Sequence, residues 1–133
     1  MNYQNYVENL FKHACYAACL SYKFRNMKEL DWVQITQDIL DGIKIGALDK
    51  GCYVAYPVKY INNVLGGNIK DVTKPQYKLE NLTEDINIVM YSLEDNTHFV
   101  CVDKHGDIVF DPSYPSNTCK YGIPTSIRRF IYA

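Results

Sequence analysis

Gly66-Gly67 separates two stretches of different periodicity, and this switch constrains the fold more than any other feature of the chain. Upstream, apolar residues recur at helical spacing; downstream come short apolar runs bounded by turn residues. Tyr3 to about Arg25 contains no Pro or Gly and is compatible with helix, with a break predicted near Asn9 or at Lys12-His13-Ala14, so that Cys15 opens a second helix. Asp31-Trp32-Val33-Gln34 is a helix start, with an Asp cap and Gln three residues on, and it predicts a helix of about Trp32 to Ile45. Pro57 begins another helix, which Gly66-Gly67 ends. Strands are predicted at Asn68 to Thr73, Ile86 to Leu93, His98 to Asp103, Asp107 to Asp111 and Ile127 to Tyr132. Helices first and antiparallel strands second is the α+β pattern.

At 133 residues the chain fits one domain, spanning 1–133. A hydrophobic share of 47% and a charged share of 22% belong to a folded globular protein rather than a disordered one. The net charge of -1, with signs interspersed and no basic stripe, argues against nucleic acid or a membrane as partner. No basic, apolar leader and no span of membrane-crossing length is seen, so a soluble, cytoplasmic protein is expected; oligomeric state is not indicated. Five cysteines at irregular spacing do not form a disulfide framework, so each thiol needs its own explanation. Twelve tyrosines suit an aromatic cleft or simply the rim of a core.

A thiol becomes a good nucleophile when ionised, which a helix N-terminus and a neighbouring imidazolium both favour. Cys15 is the candidate nucleophile, His98 the base at the entry of the strand Phe99-Val100-Cys101-Val102, and Asp111 the group that orients it. Asp111 precedes Pro112, which keeps it extended. His98 and Asp111 can meet only from one face of the sheet. A plain Lys104-His105-Gly106 loop places them on opposite faces by period-two counting, and an even-length loop or a β-bulge restores the pairing.

Cys15-Tyr16-Ala17-Ala18 resembles the segment that opens the central helix of papain-like cysteine peptidases. His98-Phe99-Val100-Cys101-Val102 and Val109-Phe110-Asp111-Pro112 resemble the His and Asp-Pro elements of the bacteriocin-processing, double-glycine branch of that superfamily. The resemblance implies a papain-like domain in which Cys15, His98 and Asp111 cleave an amide of a peptide or protein substrate through a thioester, with no cofactor or metal. Family members carry a Gln shortly before the nucleophile as an oxyanion donor; here Asn9 stands six residues before Cys15 and is the candidate for that role. Two alternatives remain: a peptidoglycan amidase or endopeptidase of the CHAP type, and an inactive papain-like domain that binds peptide.

Other readings of the same residues are weaker. Cys19, one turn beyond Cys15, reads as core packing, and His105 and Asp103 belong to the turn. His13 lies two residues from Cys15, where helical side chains do not face each other. A zinc set of Cys15, Cys19, His98 and Cys101 is disfavoured, because His98 and Cys101 are three apart on a strand and point to opposite sides.

Overall fold

The computed structural model describes residues 13–113 and 116–133; the helix predicted upstream of His13, and Asn9 within it, lie outside the described residues. The elements in order are α1 (Cys15–Phe24), α2 (Trp32–Lys44), α3 (Pro57–Asn63), β1 (Ile69–Thr73), a 3₁₀ turn (Leu79–Asn81), β2 (Asn87–Leu93), β3 (Asn96–Val102), β4 (Ile108–Phe110), α4 (Asn117–Tyr121) and β5 (Ile123–Tyr132). Three helices therefore precede the strands and only the short α4 falls among them, and the fold is α+β. No helix among the described residues is long and apolar enough to cross a membrane.

Local chemistry sets the helix ends. Asp31 caps α2 by accepting a hydrogen bond from the Gln34 N–H at 3.0 Å. The Gln34 side chain does not return to the cap, as a full capping box requires; it donates instead to Asp38 at 2.9 Å. Asp38 is fully buried, and Ser21 at 2.7 Å and both Nε and Nη2 of Arg25 also donate to it, which ties α1 to α2. Pro57 opens α3 as expected. Tyr60 on α3 is buried beside this network, and among the described residues its hydroxyl has no hydrogen-bond partner.

The five strands form one antiparallel sheet in the order β1-β5-β2-β3-β4. Both faces are covered, which is why β2 and β3 read as continuous apolar runs rather than alternating ones. One face packs Ile88, Cys101, Phe110 and Phe130 against Ala17, Leu20, Ile35, Ile39 and Ile61 of the helices. The other gathers Val89, Val100, Val102 and Ile127 with Leu82, Tyr77, Tyr91 and Cys119.

Two expectations are corrected. The last strand is ten residues long and starts at Ile123, where a short strand from Ile127 is expected; Pro124 does not end it. Pro124 sits beside a bulge in the β2–β5 pairing, past the end of β1, and there a missing N–H costs little. The helix α4, capped by Ser116, has no counterpart in the sequence expectations. The β3–β4 turn is as expected: Gly106 has a φ of +85°, and Asp103 accepts from the N–H groups of His105 and Asp107.

Candidate functional site

The β3–β4 hairpin decides whether His98 and Asp111 meet. Val102 pairs with Ile108, but Cys101 pairs with Phe110, so Val109 is an extra, bulged residue. Regular pairing, with Val109 across from Cys101, would set Asp111 across from Phe99, on the wrong face. With the bulge, the register continued by one residue sets Asp111 across from Val100, on the face that His98 shares by period two. The ring nitrogen Nε2 of His98 lies 2.6 Å from Oδ1 of Asp111, and the two side chains are only 9% and 4% exposed. The N–H of Ser113 donates to the same Oδ1 at 2.9 Å and holds the carboxylate in a tight turn behind Pro112.

With Nε2 taken by Asp111, Nδ1 is the nitrogen left for Cys15, and the thiol lies within hydrogen-bonding reach of the ring. Burial disfavours the charged imidazolium, but hydrogen bonds with Cys15 and Asp111 outweigh it, so His98 titrates above the usual 6.5. Cys15 is the first residue of α1, and its position is set by its neighbour. Tyr16 stacks on Phe99 at 4.6 Å between centroids, joining the residue after the thiol to the residue after the imidazole. The guanidinium of Arg128 lies over the same pair, 4.9 Å from Phe99 and 5.9 Å from Tyr16. Burial pushes the Tyr16 hydroxyl up to about 12.

Cys15 opens onto a cleft of about 380 Å³ lined by His13, Tyr16, Tyr53, Asp95, Thr97 and Phe99, among others. His13 lines the same cleft and is engaged by Tyr53: its Nδ1 is 2.8 Å from the Tyr53 hydroxyl, and the two rings stack at 4.9 Å. Cys19 is fully buried, and burial together with the Cys101 thiol pushes its own thiol well up, which suits packing. His105 is exposed in the turn.

The four-residue zinc set is split as expected: Cys101 packs toward Cys19 and the helices, away from the face of His98. A different trio is drawn together, which the sequence expectations miss. Ligand atoms of His98, Asp111 and Cys119 all lie within 4.8 Å of one another. Burial first, and Asp111 next, push the Cys119 thiol up to about 11. Its signal in the sequence is faint: Ser116, three residues earlier, starts the short helix that aims it.

Comparison with known proteins adds a family but no activity. No curated protein matches the chain, and no solved structure does. Residues 1–132 match the family described as Protein of unknown function, DUF261, and with nearly the whole length covered the chain belongs to that family.

Proposed function

We propose that this protein is a thiol hydrolase on a papain-like plan, cleaving a peptide amide with Cys15 as nucleophile, His98 as base and acid, and Asp111 as the group that orients His98. One observation carries the reading: a buried imidazole bonded through one nitrogen to a carboxylate at 2.6 Å, with a thiol at a helix start in reach of the ring. In the first step His98 takes the Cys15 proton at Nδ1, and the thiolate attacks the carbonyl carbon. The oxyanion receives the Cys15 N–H, with Asn9 proposed as second donor. His98 then passes its proton to the leaving amine, and the C–N bond breaks to leave a thioester. Water attacks the thioester, His98 accepts a proton from it, and the acid leaves as Cys15 regains its own.

The test uses p-nitrophenyl acetate as a generic activated ester and iodoacetamide as a thiol probe, both in metal-free buffer. A burst of p-nitrophenolate equal to the protein concentration is expected, abolished in Cys15→Ala. His98→Ala should slow it by roughly 100- to 10,000-fold, the usual range for a general base. Iodoacetamide should modify Cys15 faster than an unassisted thiol near neutral pH, and His98→Ala should remove the difference. Equal alkylation rates in the wild type and His98→Ala would sink the hydrolase and leave a peptide-binding domain.

A further inference from the structure

Cys119 has no part in the proposed reaction, yet its sulfur shares a buried corner with His98 and Asp111. We propose that His98 Nε2, an Asp111 carboxylate oxygen and Cys119 Sγ form a binding site for a zinc-class divalent cation, and that the bound ion switches the proposed hydrolase off. The second half rests on the hydrolase reading; the first does not.

The donor set is the mixed imidazole, carboxylate and thiolate kind that zinc takes, with a fourth position left for water. In a tetrahedral site with bonds of about 2.0 to 2.3 Å, neighbouring ligand atoms stand roughly 3.3 to 3.6 Å apart. The trio is within 4.8 Å throughout, so modest movement of the Cys119 rotamer and of the His98–Asp111 contact brings it to that geometry. The backbone around it is fixed: Asp111 is held by the Ser113 N–H, and Cys119 by the Ser116 cap. Access comes from a second cavity of about 630 Å³, lined by Asp111, Ser116 and Cys119 and sharing no lining residue with the Cys15 cleft. Lys120, which also lines this cavity, lies over the ring of Tyr121, 5.2 Å from its centroid.

Binding balances simply. Cys119 gives up its thiol proton and the imidazolium gives up the proton on Nε2, both to the buffer. The imidazole then keeps a proton on Nδ1 and has no free lone pair, and a metal-bound ring releases that last proton only at extreme pH. It can neither take a proton from Cys15 nor supply one to a leaving amine, so acid and base steps stop together.

The test titrates the full chain with Co²⁺, reading the charge-transfer absorption of a cobalt–thiolate bond, then displaces the ion with Zn²⁺. A band that persists in Cys15→Ala, and disappears in Cys119→Ala and in the closely sized Cys119→Ser, is the expected result. Zn²⁺ that halves the p-nitrophenyl acetate burst in the wild type should leave the burst of Cys119→Ala unchanged. A band that survives in Cys119→Ala but is lost in Cys15→Ala puts the ion on the nucleophile and overturns the proposal, as does the absence of any band. A cobalt band that depends on Cys119 in a protein with no burst upholds the metal site and refutes the hydrolase, so the two ideas fail separately.

Discussion

At the scale of single residues, His98 carries a pH dependence with a definite sign. Its folded-state pKa is raised, so it binds its proton more tightly folded than unfolded. The stability this adds is fully present below the unfolded value of 6.5 and is lost as pH rises through the higher folded value. Asp111→Asn removes one of the two partners that raise it. The stability gap between wild type and Asp111→Asn should therefore be wide at about pH 5.5 and narrow at about pH 9, measured by urea unfolding in metal-free buffer. A gap that widens toward alkaline pH would show the sign to be wrong. Tyr60 makes the opposite kind of prediction. Among the described residues its buried hydroxyl has no partner, so Tyr60→Phe should lose no hydrogen bond and shed a desolvation cost. Thermal unfolding should show it unchanged or more stable, by up to about 1 kcal/mol.

At the scale of elements, the Val109 bulge is the hinge on which the site turns. The sequence is readable up to that point: Asp31, Pro57 and Gly106 each mark a helix or turn through a local rule, and all three act where expected. A bulge has no such local mark, because whether one residue is extra depends on what the partner strand pairs with. The same limit hides β5 and α4. Pro124 looks like a strand breaker until the bulge beside it is known, and Cys119 looks like loop until Ser116 is seen to cap a turn of helix. His98 and Asp111 were legible as a pair by type and order; their shared face was not. Deleting Val109 should return the hairpin to regular pairing and keep Asp111 across from Val100, whereas one residue inserted between Phe110 and Asp111 should set Asp111 across from Phe99 and turn it to the far face. The three-residue edge strand β4 can absorb this with a stability change of about 1 to 2 kcal/mol. Esterase burst rate in the insertion variant should drop at least as far as in Asp111→Asn, whereas the Val109 deletion and Val109→Ala should behave as wild type. Full activity in the insertion variant would mean that the register of Asp111 does not set the geometry.

At the scale of the whole molecule, two apolar clusters share one sheet, and the last strand serves both. Phe130 packs on the helical side and Ile127 on the other. Among the described residues β5 is also the sole strand partner of β1 and one of the two flanking β2. A chain ending at Gly122 should therefore show no cooperative thermal transition by circular dichroism, since it exposes the edge of β2 and leaves β1 unpaired. The position of β5 has a further consequence, in time rather than space. On a ribosome Ile69–Thr73 is made long before Arg129–Tyr132, its partner in the ladder, so the sheet cannot close until β5 has been made. The hairpin bearing His98 and Asp111 is local and can form early, but Arg128, which seats Tyr16 against Phe99, arrives with the final strand. On the proposed reading, Cys15 can therefore act only once β5 has docked.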